Sequence, residues 1–414
     1  MIARRRVVSV TKALVLFVPL VLAGCSEQAD RHAASAGTST GGVATRIVTD
    51  MRGVGVAVPA RLQRVATIND GFVESVMTRF GVIGSLVAVA SGSLQRTWNY
   101  TIPAAGGRPL VMTDGMGTMR AMHPWLANLP CAGCGASDAL NYETIAAAQP
   151  DAVIMRVGDC TVDAGSDAAS RTIEIFGAMG IPVVVLRSPT DFRSQSLETL
   201  HEEVRLLGTL FGQEDEAATL IDELTAVEAM VRERLSGVTD DARPRVLYLG
   251  LASGARSSGG AAYVWGTDTA ESWMLEHLAG ARNAYRGPGA RVLLNAEQIL
   301  ALDPDVIVLP TSAGYHPPQE LAEAPYFRDL QRLRAVRDRR VYSLPWTPMN
   351  CGRRLEYPLD LLIMAKGAHP RRFADVAVHD WALAFYRRTY RIDERQALVF
   401  RRAQWIDWTV DAGF

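Results

Sequence analysis

Residues 140–155 read LNYETIAAAQPDAVIM, and residues 294–309 read LNAEQILALDPDVIVL. The two segments share seven identities in sixteen aligned positions, and they begin 154 residues apart. Solenoid repeats recur every 20–50 residues or so, at roughly a third of this spacing or less. The repeat therefore predicts two similar domains on one chain rather than an array of small units.

Each copy carries the same signals for a capped helix that is followed by a strand. Asn141 and Asn295 can cap a helix, because the amide oxygen accepts a backbone N–H that has no partner within the helix. Glu143 and Glu297 then fall in the first turn, where the helix dipole favours negative charge. A shared proline ends each helix, and an uninterrupted apolar run follows, as in strands buried on both faces of a parallel sheet. Each copy is predicted to be a helix that leads into a central strand.

Composition limits the classes of protein that this chain can be. At 414 residues, with 21% charged and 48% hydrophobic residues, it has room for two or three globular domains. Residues 1–24 contain four basic residues and no acids, so the rest of the chain has 39 basic and 44 acidic residues, a net charge of −5. This balance argues against a nucleic-acid-binding surface.

The N-terminus has the pattern of a targeting segment. Basic residues from Arg4 onward precede an apolar run at 13–23 that is too short to anchor stably in a bilayer. Leu-Ala-Gly-Cys25 follows and looks like a bacterial lipoprotein signal, which implies removal of residues 1–24 and lipidation of Cys25. The alternative is an ordinary secretory peptide. The polar stretch 25–46 reads as a flexible tether, so we expect an extracytoplasmic body held at a membrane by lipid.

The remaining chain divides into two lobes and a connector. Strand and helix patterns alternate in a first lobe at 47–193 and a second at 241–414. Between them, residues 194–240 have a helical period with a break at Phe211-Gly212. A helical connector is stiffer than a Gly/Ser linker. The predicted fold is α/β, with two Rossmann-like lobes, each with a central parallel sheet, joined by a rigid helical connector.

Several local predictions accompany this division. Alternating residues predict a strand or hairpin over 46–60, and apolar runs predict a strand over 83–90. Residues 91–139 are irregular and are interpreted as loops and short elements lining a site. Residues 322–335 are predicted to form one helix. No segment after the N-terminus is long and apolar enough to be transmembrane.

These features together resemble the class III periplasmic binding proteins. The most specific segments are the two repeats, RVATINDGFVESVMTRFGVIGSLVAVAS near 64–91, LEHLAGARNAY before the second repeat and PLDLLIMAKGAHPRRFADV near the end. The resemblance covers roughly residues 60–390 and implies a substrate-binding lipoprotein of an ABC importer for iron–siderophores, haem or cobalamin. In that family one acidic residue on each lobe pairs with arginines of the permease dimer. The matching positions are Glu143 and Glu297, for which simple dipole complementation is the alternative.

Ligand is expected in a cleft between the lobes, at loops that follow the strands. Aromatic faces suit a flat macrocycle or catecholate, and arginines suit carboxylates or a charged chelate. The first-lobe candidates are Asn69, Trp98, Tyr100, Arg120, His123 and Trp125. The second-lobe candidates are Arg256, Tyr263, Trp265, Tyr315, His316, Trp346 and Arg353. The combination of arginines and aromatic residues favours an iron chelate as the cargo, and haem and a corrinoid stay open. For each single residue, the alternative is ordinary packing within a loop.

Methionines and cysteines raise a separate hypothesis. Cys131 and Cys134 have CxxC spacing without a second CxxC, so a structural disulfide is favoured over a redox or zinc motif outside the cytoplasm. Together with Cys160 and Cys351, these two cysteines could form two disulfides in three different ways, and the sequence does not choose among them. Four methionines and a histidine could supply soft metal ligands, but filling an irregular core is the better interpretation. They are Met112, Met116, Met119, Met122 and His123.

The sequence predicts a binding protein rather than an enzyme. It has no GxSxG, HExxH or P-loop motif. We expect no catalytic residue, no intrinsic cofactor or metal and no nucleic acid. The expected partners are a permease dimer with its ATPase and a small metal chelate. One alternative is an extracytoplasmic thiol-redox or metal-dependent protein that uses Cys131, Cys134 and His123. Another is a pair of lobes that scaffolds or senses instead of transporting.

Overall fold

The computed structural model describes residues 44–104, 106–134, 139–163, 165–192, 196–251, 260–311, 314–348 and 354–414. The predicted signal segment 1–24 and residues 25–43 of the tether lie outside these ranges, and so do Cys25, Arg256, Cys351 and Arg353. Within the described ranges, none of the helices has the length and apolar character needed to cross a membrane.

The described part of the chain alternates strands and helices. The strands are β1 Thr45–Thr49, β2 Gly55–Pro59, β3 Val65–Ile68, β4 Leu86–Val89, β5 Trp98–Ile102, β6 Leu110–Gly115, β7 Ala152–Val157, β8 Val183–Arg187, β9 Arg245–Gly250, β10 Ala262–Val264, β11 Arg282–Asn283, β12 Val292–Leu294, β13 Val306–Leu309 and β14 Val341–Ser343. The helices are α1 Phe72–Arg79, α2 Thr118–Met122, α3 Tyr142–Ala147, α4 Ala168–Ala178, α5 Glu198–Phe211, α6 Glu214–Arg234, α7 Ala270–Trp273, α8 Ala296–Leu302, α9 Pro318–Glu323, α10 Arg334–Arg337, α11 Tyr357–Ala368, α12 Val378–Tyr390, α13 Glu394–Ala403 and α14 Trp408–Asp411.

The first lobe is built on a four-stranded parallel sheet in the order β4-β3-β7-β8. Every residue of β3 and β7 is buried, as expected for central strands that are covered on both faces. The predicted hairpin is confirmed, because β1 and β2 pair antiparallel. It joins the lobe through the N–H of Met51, which donates to the carbonyl of Val185 at 3.1 Å.

The second lobe contains a six-stranded mixed sheet. Strand β9 pairs in parallel with β11 and β13, and β13 pairs in parallel with β14. On the other side, β10 pairs antiparallel with both β9 and β12. The predicted parallel centre is therefore confirmed, and the antiparallel extension is an addition that the sequence patterns did not predict.

The connector is helical and broken near Gly212, as predicted, and its two helices pack on each other as a hairpin. Helices α5 and α6 meet at Gly212, which takes the left-handed conformation (φ 64°) that ends a helix with little strain in glycine. Leu200 of α5 belongs to one hydrophobic cluster that also contains Val65 of β3 and Val246 of β9. A shared apolar core of this kind opposes the relative motion of two lobes, because motion would expose it to water.

The C-terminal helices return to the first lobe. Arg79 at the end of α1 donates through Nη1 to Glu223 of α6 at 3.1 Å and to the carbonyl of Arg388 at 2.9 Å. The indole N–H of Trp405 donates to the carbonyl of Thr113 in β6 at 2.8 Å. Residues after 378, which the sequence assigned to the second lobe, therefore also hold the first.

Two local predictions were wrong. The strand predicted over 83–90 begins only at Leu86, because Ile83–Ser85 forms a 3₁₀ turn around Gly84, a poor strand residue. The single helix predicted over 322–335 is broken after Glu323. Pro325 forces Ala324 into an extended conformation (ψ 131°), and only 3₁₀ turns and the short α10 follow.

Candidate functional site at the edges of the two lobes

The duplicated segments begin with matching helix caps. The side-chain oxygen of Asn141 accepts from the N–H of Thr144 at 3.2 Å, and that of Asn295 accepts from Gln298 at 2.9 Å. Glu143 and Glu297 are exposed in the first turns of α3 and α8. These helices lead into different sheets. The two carboxylates therefore lie on separate lobes, in equivalent local surroundings.

A second pair of contacts, which the sequence did not reveal, fixes both segments to their sheets. The carboxylate of Asp151 accepts from the backbone N–H of Arg64 at 2.8 Å, and Asp305 accepts from Arg245 at 2.8 Å. The Arg64 side chain donates to the carbonyl of Ala148, the residue after α3, at 2.5 Å, and the Arg245 side chain donates to the carbonyl of Leu302 at the end of α8 at 2.7 Å. The available signal was an arginine at the start of a central strand in each lobe, just before β3 and as the first residue of β9.

Asn69, a predicted ligand residue, is fully buried and engaged within its own loop. Its oxygen accepts from the N–H groups of Gly71 and Val73 at 2.8 and 3.1 Å, which caps α1. Its amide nitrogen donates to Glu74 at 3.1 Å, and Glu74 also accepts from the hydroxyl of Thr67. Burial raises the pKa of Glu74. The geometry assigns Asn69 to positioning this loop at the carboxyl end of β3.

A buried ionic cluster lies at the same edge of the sheet. Arg156 of β7 forms a bidentate ion pair with Glu203 of α5, at 2.6 and 2.7 Å. Its Nη1 is 3.9 Å from Asp70, whose backbone N–H donates to Asp159 at 3.0 Å. Burial and the neighbouring Asp70 raise the pKa of Asp159 well above its usual range, and burial raises the pKa of Glu203. The sequence signal was an arginine inside an otherwise apolar strand.

Four of the predicted aromatic residues come together in one cluster with Trp405. Trp346 stacks on Trp405 with ring centroids 5.5 Å apart, and Trp98 meets Trp346 edge-on at 5.4 Å. Tyr100 and Tyr315 contact Trp405 at 5.6 and 4.9 Å. The hairpin β5–β6 of the first lobe thus packs on loops of the second lobe. These rings cover one another, so they do not form an open parallel-walled slot.

The sequence missed Trp405 as a member of this cluster. Its ring lies 2.1 Å from the position that a Cβ at Gly115 would take, so the end of β6 accepts this indole only as glycine. That glycine was the available signal, but its partner is 290 residues away in the chain.

The other first-lobe candidates surround α2. His123 Nε2 is 3.0 Å from the hydroxyl of Thr78, and burial lowers the pKa of His123. Trp125 is 38% exposed, with its ring 5.8 Å from that of His123. Arg120 donates through Nε to the carbonyl of Gln95 at 3.3 Å. Among the described residues, no ring contact or hydrogen bond joins these three to the aromatic cluster.

The other second-lobe candidates are divided between core and edge. Trp265 is buried and meets Tyr248 edge-on at 5.3 Å, so it packs inside the lobe. Tyr263 is partly buried beneath the guanidinium of Arg291, which lies 5.1 Å from the ring centroid. Arg256 and Arg353 fall outside the described residues.

His316 is buried after β13 and is oriented by a carboxylate. Its Nδ1 is 2.8 Å from Glu320, which also accepts from the hydroxyl of Tyr326 at 2.7 Å. A carboxylate at Nδ1 fixes the ring orientation and favours the proton on that nitrogen.

The cysteines and methionines support structural interpretations. Cys131 and Cys134 form a disulfide, and neither lies in a described helix whose N-terminus could activate a thiol. Cys160 is also disulfide-bonded. Met119 lies in the main core, whereas Met112 packs on the aromatic cluster. Within the described residues, no group of three His, Cys, Asp or Glu side chains could hold a metal ion.

One further arginine was missed. Arg354 is buried, and its guanidinium lies beside Gly71 of the first lobe. Its neighbour Arg353, which the sequence predicted as a ligand residue, lies outside the described residues.

Comparison with known proteins agrees with this architecture. The family model for periplasmic binding proteins matches residues 124–347, more than half of the chain. The molybdate-binding protein MolA of Haemophilus influenzae is 23% identical over 283 residues, which are 63% of this chain and 73% of that protein.

Solved structures show the same fold. A periplasmic solute-binding protein from Veillonella parvula is 20% identical, with a TM-score of 0.67 over 90% of this chain and 100% of its own. Helicobacter pylori CeuE in a nickel–histidine complex is 18% identical, with a TM-score of 0.59 over 86% and 99%. A periplasmic heme-binding protein from Pseudomonas aeruginosa is 20% identical, with a TM-score of 0.53 over 75% and 94%. With its two lobes and helical connector, this chain therefore belongs to the class III periplasmic binding proteins, the solute-binding components of ABC importers.

Proposed function

We propose that this protein captures a metal-containing solute between its lobes and delivers it to an importer permease through Glu143 and Glu297. The observation that carries the proposal is the recurrence, on each lobe, of one exposed glutamate in the first turn of an asparagine-capped helix. Dipole complementation accounts for an acid at either site, worth about 0.3–1 kcal/mol, but it does not require the same arrangement twice.

A fixed distance between the two glutamates supports docking on a two-fold permease. The shared core of lobes and connector, together with the return of the C-terminal helices, opposes changes in that distance. Exposed ion pairs contribute little affinity, but they set orientation and select partners. Two carboxylates on a rigid body therefore suit recognition of two equivalent subunits.

Charge reversal tests the docking role. The change is Glu143→Lys with Glu297→Lys, and Glu174→Lys with Asp329→Lys is the matched control, one exposed acid from each lobe. We expect solute uptake by cells to fall roughly 100-fold in the first double variant, because like-charge contacts cost several kcal/mol. Solute binding by the purified protein should not change. Uptake at the control level in both variants would contradict the docking role, and a sensor or scaffold would then be the better interpretation.

The cargo that we propose is a compact metal-bearing anion, such as a tetrahedral metal oxyanion. The aromatic residues that would sandwich a macrocycle cover one another instead. A relative that matches 63% of this chain is named for molybdate binding. The second candidate is the iron chelate predicted from sequence, which the combination of arginines and aromatic rings near the lobe edges favours.

Protein purified from its native host distinguishes these cargoes. Elemental analysis should find molybdenum or a similar oxyanion-forming metal in a one-to-one ratio, without a strong visible absorption band. Iron with a charge-transfer band would support the chelate instead. A Soret band or a corrin spectrum would point to haem or cobalamin and would contradict both.

We also propose that residues 1–24 are removed and that lipid on Cys25 anchors the protein through the tether 25–46. Acyl labelling of cells should mark the wild-type protein, and Cys25→Ser should remain unlabelled. A labelled Cys25→Ser variant would contradict the anchor.

A further inference from the structure

The amino-terminal ends of the second-lobe strands carry a row of arginines. The neighbouring strands β11 and β9 begin at Arg282 and Arg245, and Arg340 comes directly before β14. Because β9, β11, β13 and β14 run parallel, their first residues meet at one edge of the sheet. It is opposite the edge at which open α/β sheets bind ligands. This edge, with residues 328–340 and 370–373 that adjoin it, is called the base of the second lobe below.

Hydrogen bonds and an ion pair join the segments of the base into one surface. Asp305 accepts from the backbone N–H of Arg245 and pairs with Arg334, both at 2.8 Å. The side chain of Arg340 donates to the carbonyl of Ala368 at 3.2 Å, which brings the turn after α11 to the same face. The base is therefore continuous from β9 to the turn that follows α11.

The base has an excess of positive charge. Residues 328–340 contain six arginines and two aspartates, although the chain after residue 24 has a net charge of −5. Arg337, Arg339 and Arg371 are exposed, and none of the described carboxylates forms an ion pair with them. Like charges gathered on one face repel one another unless an opposite charge approaches. The base is therefore complementary to an anionic partner.

An apolar cavity lies beside Arg339. It has a volume of about 470 Å³, and Arg339 is one of three charged residues that line it, with Glu323 and Asp411. Its apolar walls include Val336, Val341, Tyr342 and Trp408. A small anion or a nucleic acid would use the arginines of the base and leave these walls exposed to water. An anionic phospholipid uses both, because its phosphate pairs with arginine and its acyl chain gains from burial against apolar side chains.

We propose that the base of the second lobe is a contact surface for anionic phospholipids. Phosphates meet Arg337, Arg339 and Arg371, and one acyl chain enters the cavity beside Arg339. This inference goes beyond the proposed function, since it involves neither the cargo nor the permease.

The position of the base relative to Glu297 gives the contact a consequence. Arg245 at the base donates to the carbonyl of Leu302, at the end of α8, whereas Glu297 lies in the first turn of that helix. Membrane contact through the base and docking through Glu297 therefore use opposite ends of the lobe. A protein that rests on a membrane by its base presents Glu297 away from that membrane.

The test measures binding of residues 26–414 to lipid vesicles by co-sedimentation. These residues contain the whole described fold and lack Cys25, so no acyl anchor contributes. We expect binding to vesicles of phosphatidylcholine mixed with phosphatidylglycerol, and weaker binding at high salt, because ions screen the arginines. Vesicles of phosphatidylcholine alone should bind at least about tenfold more weakly, because they lack the negative surface potential.

A triple variant removes charge from the base. It combines Arg337→Gln, Arg339→Gln and Arg371→Gln. Each arginine near an anionic membrane strengthens binding about fivefold, so this variant should bind the mixed vesicles roughly 100-fold more weakly. The matched control combines Arg108→Gln, Arg171→Gln and Arg395→Gln, three exposed arginines elsewhere that also have no described ion pair. The control should bind close to the wild-type level, and both triple variants should unfold at the wild-type temperature because all six side chains are exposed.

A second variant tests the cavity without a change of charge. Ala322 is exposed on α9 and lines the cavity, so Ala322→Gln places a longer polar side chain there and leaves the core intact. Binding to the mixed vesicles should fall several-fold. Binding at the wild-type level would overturn the entry of an acyl chain.

Two outcomes overturn the contact surface as a whole. One is equal binding to both kinds of vesicle, including no binding to either. The other is a control triple variant that loses as much binding as the variant of the base. Neither outcome bears on cargo capture or docking, because solute binding and uptake by the Glu143→Lys and Glu297→Lys variant are measured without vesicles. Failure of the membrane contact and failure of the proposed function can therefore be told apart.

Discussion

The segments 140–155 and 294–309 fold alike, yet the lobe edges beside them differ in chemistry. Beside the first, β3 and β7 end at buried charges, with Arg156 paired to Glu203 and Asp159 close by. The second lobe presents stacked indoles, and its buried carboxylate, Glu320, lies 2.8 Å from Nδ1 of a histidine, His316. The same helix and strand have thus been kept in both lobes while the adjoining loops diverged. Loops can change in this way because they are not needed to close the sheet.

The largest expected loss of stability follows removal of a buried carboxylate, Glu203 in the first lobe edge or Glu320 in the second. Glu203→Ala leaves the guanidinium of Arg156 buried and unpaired, which should cost about 3–5 kcal/mol in the free energy of unfolding. Glu320→Ala should cost less, roughly 1–3 kcal/mol, because histidine is charged only when protonated whereas arginine is always charged. Urea unfolding of both variants gives the comparison. Equal losses would mean that the two lobe edges depend on charge to the same degree.

The disulfide belongs to the first lobe edge. Cys131→Ser with Cys134→Ser opens a four-residue loop and should cost about 2 kcal/mol, if the bond acts by restricting the unfolded chain. Solute binding should persist, since neither cysteine contacts the aromatic cluster or Arg354 through a bond in the described structure. Thermal unfolding and a binding assay check this. Loss of solute binding at unchanged stability would contradict this expectation and would indicate that these cysteines take part in binding directly.

The buried carboxyl group of Glu74 should make the stability of the protein depend on pH. Because burial raises its pKa in the folded state above 4.5, the folded protein binds more protons than the unfolded chain as pH rises above that value. Stability contributed by protonated Glu74 is therefore present at low pH and is lost as pH rises through the folded pKa. Glu74→Gln removes this slope, so its stability relative to wild type should increase between about pH 4.5 and the folded pKa. A constant difference from pH 4 to 8 would contradict the assignment.

The smallest effect concerns the caps of the repeats. Asn141→Ala and Asn295→Ala should each destabilise the protein by about 1 kcal/mol. The second loss should be the larger, because Gln298 also accepts from the backbone N–H of Asn295 at 3.0 Å to complete a capping box. Chemical unfolding of the two variants resolves the difference. A larger loss of stability in Asn141→Ala than in Asn295→Ala would show that contacts around the helix start matter more than the capping hydrogen bonds.

Sequence patterns predicted the elements that depend on neighbouring residues. The caps at Asn141 and Asn295, the buried strands after them and the helical break at Gly212 all follow from local chemistry, and each is confirmed. The helix predicted over 322–335 failed because the effect of Pro325 outweighed the apolar period there. The resemblance to a known family also predicted two lobes. Among the residue patterns, only the repeat supports that architecture.

By itself, the sequence determined the duplicated helix–strand segments, the helical connector and the two glutamates in first helical turns, because periodicity, caps and breakers act within a few residues. Only the tertiary structure decided how the candidate site is arranged. It joined Trp405 to Tyr100 and Trp346, committed Asn69 to its own loop and left Arg354 without a described counterion. These outcomes depend on residues that are far apart in the chain but meet when the lobes pack. Burial and pairing of that kind are properties of the folded chain that no local pattern records.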